Sequence, residues 1–357
     1  MRSPAEFARV VDTNEPLRTL TNNASYLGWI EGPVWVPQQG GYLVFSDQSN
    51  KRMYKWSPTT GLTVFRSPSN NANGNTLDLN ERLITCETDT RRVTRTETKG
   101  TLTILVSTYN GKTFNAPNDV VVKSDGTIWF TDPNYGLGQT QPGRYVYRFD
   151  PTNGNATVVA VATAFTQPNG LCFSPDEKLL YVADSDTTKH QIRVFDVLPG
   201  KVLANNRLFC NISSGVPDGI RCDADGRIYS SAADGVWIFL PDGRLAGKIL
   251  LPNTVANVCF GDADFRTLYI VAQPGLYSLR LKVAGTPAIK KLAWNTAPGQ
   301  INLSWPAPST GFQLESAEAL IWPAGWAQVD QTPIVTNGLN MVSLPATGIA
   351  AFYRLRK

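Results

Sequence analysis

The stretch QPNGLCFSPDEKLLYVAD, residues 167–184, contains one unit of the pattern that decides the fold. Asn169 leads into a short apolar run, a polar turn follows, and a second apolar run stops at Asp184. An Asn-Gly pair such as Asn169–Gly170 is typical of a turn, because both residues tolerate positive φ. The alternative is that the Asn169 amide oxygen holds a ligand, and the rest of the chain bears on that choice.

The same pattern occurs six times along the chain. The units are EGPVWVPQQGGYLVFSD, NGNTLDLNERLITCE, NDVVVKSDGTIWFTD, NGLCFSPDEKLLYVAD, DGIRCDADGRIYSSA and NVCFGDADFRTLYIVA. Each starts with a carboxylate or amide side chain, roughly 40 to 50 residues from the next. These leading residues are Glu31, Asn73, Asn118, Asn169, Asp218 and Asn257. Further β-branched and aromatic runs bring each unit to four antiparallel strands, which is the unit of a β-propeller blade.

We therefore predict an all-β fold: a six-bladed β-propeller at residues 1–286 and a small fibronectin-III-like β-sandwich at residues 287–357. The last propeller unit has three obvious strands, so we expect the N-terminal segment to supply the fourth and close the ring. The sandwich tryptophans are expected in its core, with a carbohydrate-binding face as the alternative. They are Trp294, Trp305, Trp322 and Trp326.

Composition excludes several classes of function. Of the 357 residues, 42% are hydrophobic and 17% charged, and the net charge of +4 is spread without a Lys/Arg block. Binding to nucleic acid or to a membrane surface is therefore not expected. No apolar run reaches the ~18 residues of a membrane-spanning helix. The N-terminus lacks the apolar region of a signal peptide, which leaves a cytoplasmic protein or one whose leader was removed.

Cysteine and histidine usage limits the chemistry further. The five cysteines have no CxxC spacing, and we predict that they are buried free thiols. His190 is the single histidine, in a polar segment expected at the surface. A His-rich metal site is therefore excluded, and no serine occupies a G-x-S-x-G elbow.

The leading residues predict a metal site. The first strand of each propeller blade lines the central channel, so the six side chains should form one ring. Their oxygens are hard ligands that suit Ca²⁺. We take Glu31, Asn118, Asn169 and Asp218 as ligands of Ca²⁺ or of another divalent cation such as Zn²⁺, Mn²⁺ or Mg²⁺, with Asn73 and Asn257 as lining residues.

The second run of each unit returns to the same end of the channel. In the first four units it stops at Asp47, Glu87, Asp132 and Asp184. These carboxylates either orient the ligand amides or accept hydrogen bonds from backbone N–H groups at the strand ends. Both interpretations stay open.

The motifs together resemble a known family. EGPVW, FSD, RRVTRTE, NAPNDVVVKSDGTIWFTDP, PNGLCFSPDEKLLYVAD, IRVFDV and PDGIRCDADGRIY look like bacterial members of the gluconolactonase/senescence-marker/luciferin-regenerating family, over about residues 25–284. The resemblance implies a catalytic propeller with a divalent ion, commonly Ca²⁺, that hydrolyses sugar 1,5-lactones to aldonic acids. It implies metal ligation by Glu31, Asn169 and Asp218, a general-base role for Asp218, and a place for Asn118 near metal and substrate.

We assign the contacts with a sugar lactone to Asn73, Asn118, Tyr135 and Asn257. Two departures from the family put the identity of the sugar in doubt. Thr88 stands where bacterial members commonly have histidine, and Ala116 stands where the animal branch has arginine.

Two other functions stay open. One is a non-catalytic propeller that binds carbohydrate or protein, a role the C-terminal sandwich can share. The other is a metal-dependent hydrolase of aryl esters or organophosphates, although the paraoxonase type uses channel histidines that this chain lacks. The C-terminal tail resembles those of exported bacterial enzymes, which weakly favours the periplasm or the exterior.

Overall fold

The computed structural model describes residues 3–21, 27–151, 157–200, 202–286, 292–306, 312–318, 325–336, 339–346 and 351–356. The chain divides into two compact units, Met1–Ala288 and Ile289–Lys357. Strands dominate both. The helix α1 spans Pro4–Val10, a short 3₁₀ turn spans Gln38–Gly40, and no helix in the described ranges is long and apolar enough to cross a membrane.

The first unit contains six four-stranded antiparallel sheets, which we name A to F in chain order. The strand β1 (Arg18–Thr19) precedes them and belongs to sheet F. Sheet A comprises β2 (Ile30–Val36), β3 (Tyr42–Asp47), β4 (Arg52–Ser57) and β5 (Gly61–Arg66). Sheet B comprises β6 (Ala72–Leu77), β7 (Leu83–Glu87), β8 (Arg92–Thr96) and β9 (Leu102–Val106). A small hairpin of β10 (Thr108–Tyr109) and β11 (Lys112–Thr113) follows.

The remaining sheets repeat this order. Sheet C comprises β12 (Val120–Val122), β13 (Ile128–Asp132), β14 (Tyr145–Asp150) and β15 (Thr157–Ala162). Sheet D comprises β16 (Pro168–Phe173), β17 (Leu179–Asp184), β18 (Gln191–Leu198) and β19 (Val202–Asn211). Sheet E comprises β20 (Ile220–Cys222), β21 (Ile228–Ala232), β22 (Gly235–Phe239) and β23 (Leu245–Leu250). Sheet F comprises β24 (Val255–Gly261), β25 (Thr267–Ala272) and β26 (Gly275–Arg280), with β1 as its fourth strand.

The N-terminal segment completes the last sheet, as the sequence predicts. Arg18 pairs with Ser278 and Thr19 with Tyr277 in antiparallel register. The first strands also contact one another in a cycle: β2 contacts β6, and the contacts continue through β12, β16, β20 and β24 back to β2. The polar residues that lead these strands are therefore brought around one axis.

Apolar side chains fill the spaces between neighbouring sheets. Between sheets A and F, the Trp35 ring stacks on Tyr269 with centroids 5.4 Å apart. Cys172, Cys210 and Cys222 lie in the cluster between sheets D and E. All five cysteines are buried and free, which confirms the prediction. Inner strands such as β2 and β13 are thus buried on both faces, whereas outer strands such as β5 and β9 are partly exposed.

The turn interpretation of Asn169–Gly170 is wrong, because both residues lie within strand β16. Gly170 allows two neighbouring first strands to approach each other closely. A Cβ on Gly170 would lie 2.2 Å from the Asp218 backbone oxygen, and one on Gly219 would lie 2.0 Å from the Asn257 Cγ. The Gly170 N–H instead donates to the Asp218 carbonyl at 3.1 Å. Each such glycine lets the next leading residue pack against the strand before it.

The second unit contains two sheets. The strands β27 (Ala293–Ala297), β28 (Gln300–Pro306), β31 (Ile334–Thr336) and β32 (Leu339–Pro345) form one. The strands β29 (Gln313–Ala317), β30 (Ala327–Gln328) and β33 (Phe352–Arg356) form the other. Leu303 and Val342 of the first sheet share a hydrophobic cluster with Leu314 of the second.

The tryptophans of this unit differ in burial. Trp305 is 2% exposed and lies in the hydrophobic cluster, as predicted. Trp294 is 69% exposed, so the prediction of a core position is wrong for it. The Trp326 ring is half-buried beneath the Arg354 guanidinium. Trp322 lies outside the described residues.

The close approach at Gly170 gives a stability prediction. Gly170→Ala should destabilise the first unit by about 3 kcal/mol, because the added methyl meets rigid backbone rather than a mobile side chain. Gly61→Ala is the control: no atom lies within 4 Å of its Cβ position, so only its left-handed φ is penalised, by about 1 kcal/mol. Urea unfolding compares the two, and equal unfolding midpoints for Gly170→Ala and wild type would contradict the close-approach account.

Candidate active site

The leading residues meet at a cavity of about 760 Å³ at one end of the ring of first strands. Five of the six leading residues line this cavity: Glu31, Asn73, Asn118, Asn169 and Asp218. Asn257 is buried beside it, where its Nδ2 donates to Glu31 Oε2 at 3.3 Å. The structure therefore brings the whole sequence-predicted set to one place, with Asn257 as a neighbour of Glu31 instead of a lining residue.

Irregular strand pairing aims these side chains at the cavity. The register between first and second strands shifts at Glu31, around Asn73 and around Asn169. In sheets C and E the first strand begins just after the leading residue. There the Asn118 N–H donates to the Thr131 carbonyl, and the Asp218 N–H to Ser231 Oγ. A bulge or early strand end frees the leading side chain from the alternation of the sheet.

Glu31, which is buried, and Asp218, which is half-buried, form a carboxylate pair on this ring. They come from sheets A and E, and the Glu31 charge acts on Asp218. Burial raises the pKa of Glu31 to about 7, although donation from the Gly32 N–H and the Asn257 amide opposes the shift. Burial, and then the nearby Glu31 charge, raise the pKa of Asp218 well above its ordinary value. Two carboxylates held together with little water favour either a shared proton or a bound cation.

A third acid near this pair has its own partner. Asp119 follows Asn118 and is buried, and its Oδ2 accepts a hydrogen bond from the Arg221 guanidinium at 3.0 Å. Arg221 lies on β20 and also donates to the Ile220 carbonyl. The ion pair connects sheets C and E. Arg221 offsets Asp119, and among the described residues no Lys or Arg forms an ion pair with Glu31 or Asp218.

The chain resembles known proteins over most of the first unit. A family model described as the SMP-30/Gluconolactonase/LRE-like region matches residues 29–273. The chain belongs to this family. The gluconolactonase of Zymomonas mobilis is 30% identical over 307 residues, which cover 77% of this chain and 84% of that relative.

Solved structures give the same assignment. A gluconolactonase from Xanthomonas campestris is 35% identical with a TM-score of 0.72, and the match covers 78% of this chain and 93% of that protein. Regucalcin from Agrobacterium tumefaciens, described as a calcium-binding protein, is 18% identical with a TM-score of 0.62 over 76% of this chain and 95% of that protein. At 18% identity, the likeness to regucalcin shows only that the two proteins have a similar fold.

The carboxylates at the ends of the second strands bind the loops that lead into the ring of leading residues. They are Asp47, Glu87, Asp132 and Asp184. Each is fully buried. Asp132 accepts hydrogen bonds from the Asn115 and Ala116 N–H groups at 2.9 and 2.7 Å, just before Asn118. Asp184 accepts the Gln167 N–H at 2.7 Å, just before Asn169.

Sheets A and B use the same device with different donors. Asp47 accepts the Gly28 N–H at 3.2 Å, three residues before Glu31. Glu87 accepts from the Asn70 side chain at 3.1 Å, three residues before Asn73, and also pairs with Arg92 at 2.8 Å. For Asp47, Asp132 and Asp184 these contacts match the interpretation in which the carboxylates accept backbone N–H groups at strand ends, whereas the donors to Glu87 are side chains.

Several cavity residues were not singled out by the sequence. Trp29, Asn71 and Ser185 line it, beside Thr88, which the sequence marked as a departure from the family. Trp29 stands two residues before Glu31 of the EGPVW motif, which is the only signal that could have found it. Arg221 had a clearer signal, because a cation interrupts the apolar run of a buried first strand. Tyr135, which the sequence assignment includes, lines the cavity and accepts a hydrogen bond from Asn169 Nδ2 at 3.0 Å.

Asp132 also titrates unusually. Burial raises its pKa to about 7, and the two backbone N–H groups oppose the shift. A carboxyl group with a raised folded-state pKa takes up a proton on folding. Its contribution to stability is therefore greatest below the unfolded-state pKa near 4 and declines as the pH rises through 7.

This titration gives a prediction for Asp132→Asn. At pH 5 the variant should be less stable by about 1–3 kcal/mol, because an amide NH₂ group then faces one of the two N–H donors. The difference in the free energy of unfolding between variant and wild type should become smaller between pH 5 and pH 8, because wild type loses the stabilising proton over that range. Denaturant unfolding at both pH values measures it. Asp242→Asn, at an exposed turn, is the control, and a gap that widens with pH would contradict the prediction.

Proposed function

We propose that the protein is a lactone hydrolase that opens sugar 1,5-lactones, with glucono-1,5-lactone as the type substrate, to aldonic acids. Membership of the gluconolactonase-like family supports hydrolysis of lactones. The observation that carries the mechanism is the Glu31–Asp218 pair in a cavity lined by Asn118 and Asn169. We further propose that sheets A to F are the six blades of a catalytic propeller and that the two C-terminal sheets pack as a sandwich.

The donor set fits a divalent cation. Two carboxylates and two amide oxygens are hard ligands at low total charge, as Ca²⁺ prefers. The pair shares a buried position that a cation in place of a proton would stabilise. In the described part of the chain, no group of three or more His, Cys, Asp or Glu side chains is arranged to hold a metal. The amide oxygens of Asn118 and Asn169 must therefore complete the site with Glu31 and Asp218.

The chain's own residues then divide the chemistry. When bound, a divalent cation polarises the lactone carbonyl and compensates the charge that develops on its oxygen. Asp218 orients a water molecule and accepts its proton as the water oxygen adds to the carbonyl carbon. The proton passes to the ring oxygen as the C–O bond breaks, which yields the hydroxy acid. We assign the binding of sugar hydroxyl groups to Asn73, Asn118 and Tyr135, which line the same cavity.

Cavity size and charge support neutral sugars as the substrate class. The volume of about 760 Å³ lies within the ~300–1,000 Å³ that is typical of small-molecule sites. The described residues that line it include no Lys or Arg that could pair with a phosphate or carboxylate substituent. The hydroxyl groups of a neutral aldonolactone meet amide and hydroxyl side chains.

The deciding experiment is a pH-stat assay on several aldonolactones, corrected for spontaneous hydrolysis. We expect turnover that EDTA abolishes and excess Ca²⁺ or another divalent cation restores. Asp218→Asn should lower kcat by about 10²–10⁴-fold, because it removes the proton acceptor. Asp225→Asn on the same sheet, whose carboxylate pairs with Arg227 at the surface, should retain wild-type rates. Absence of chelator-sensitive turnover on every lactone would refute the metal-dependent mechanism.

A further inference from the structure

Trp29 and Tyr135 stand out at the cavity because both are large aromatic residues with exposed surface. Each is 41% exposed, although each has a polar end that is held inside the site. Both line the same cavity. An aromatic ring that is anchored at its polar end and open on its face is suited to receive an apolar surface.

The backbone fixes the position of Trp29. Its N–H donates to Ser49 Oγ at 2.9 Å, and its carbonyl accepts the Gln48 N–H at 2.9 Å. Gly28 packs so closely that a Cβ would lie 2.2 Å from the Ser49 Cβ. The Trp29 side chain lies close enough to the Glu31 carboxylate to lower its pKa. The backbone contacts therefore fix where the ring enters the cavity, and its polar edge lies near Glu31.

Tyr135 is anchored on another part of the ring. It lies after β13, and its hydroxyl accepts a hydrogen bond from Asn169 Nδ2 at 3.0 Å. Trp29 thus lies near the leading residue of sheet A, and Tyr135 bonds to that of sheet D. Two sheets separate A from D in either direction around the cycle of first strands. The two aromatic residues accordingly stand on opposite sides of the cavity.

We propose that Trp29 and Tyr135 form an aromatic clamp that takes the C–H faces of a pyranose-sized lactone ring, and that Trp29 determines specificity for cyclic substrates. This inference rests on the proposed function, since it concerns the same cavity. The hydroxyl groups of a sugar lactone project around the ring edge, where Asn73 and Asn118 lie, and its faces carry C–H groups. Stacking removes those faces from water without using a polar side chain.

The first test separates stacking from the interaction of the Trp29 polar edge with Glu31. Trp29→Phe keeps an aromatic face and loses the indole N–H, whereas Trp29→Leu loses both. For glucono-1,5-lactone, Trp29→Leu should raise KM about five- to tenfold with little change in kcat, and Trp29→Phe should stay within about threefold of wild type. Neither change should affect KM for an open-chain ester such as methyl lactate. Equal losses in both variants would overturn the clamp, because the indole N–H would then explain the effect.

A second test needs no turnover. Titration with 1,5-anhydroglucitol, a pyranose without an ester, should quench tryptophan fluorescence in wild type. The quenching should disappear in Trp29→Phe and persist in Trp294→Phe, whose tryptophan is exposed on the C-terminal unit. Quenching that survives unchanged in Trp29→Phe would contradict the clamp.

The two tests also separate this inference from the proposed function. If wild type hydrolyses no lactone but shows Trp29-dependent quenching, the proposed function fails and the clamp stands. If wild type hydrolyses lactones and Trp29→Leu leaves KM unchanged, the clamp fails and the function stands. Circular dichroism of both Trp29 variants establishes that they fold, as expected for a side chain with this much exposed surface.

Discussion

The electrostatic interaction between the Glu31 and Asp218 carboxyls is the constraint on which the candidate site depends. The two residues are nearly two hundred positions apart, and only closure of the cycle of first strands brings them together. Burial raises the pKa of both. The neighbouring Arg221 is already engaged by Asp119. The two carboxylates need a proton or a cation to offset their charges. This is why the chemistry points to a divalent ion.

The strands and loops around Glu31 and Asp218 explain how the protein holds two carboxylates near each other. Glycines after four of the leading residues let adjacent first strands approach more closely than any side chain allows. Bulges turn the leading side chains toward the axis, and the buried carboxylates at the ends of second strands fix the loops that lead into them. Such interactions are rigid because they are made by backbone groups. The free energy that folding supplies thus holds two like charges near each other.

The sequence predicted the long-range features better than the local ones. Six spaced repeats identified the leading residues, and the missing strand of the last repeat predicted the pairing of β1 with β26. The Asn-Gly dipeptide gave a wrong prediction of a turn. Glycine occurs both in turns and where strands pack closely, and a single sequence does not distinguish the two. Trp29 and Asn71 were missed because they precede the repeat motifs and enter the cavity only through loop geometry. Trp294 was misassigned because alternation along an isolated strand does not say which face is covered.

Diffraction from crystals grown with manganese, collected at the manganese absorption edge, tests the central claim most directly. The account predicts one anomalous peak in the cavity, bound by oxygens of Glu31, Asn118, Asn169 and Asp218, with both carboxylates in contact with the ion. A cavity without a peak at saturating manganese would contradict it.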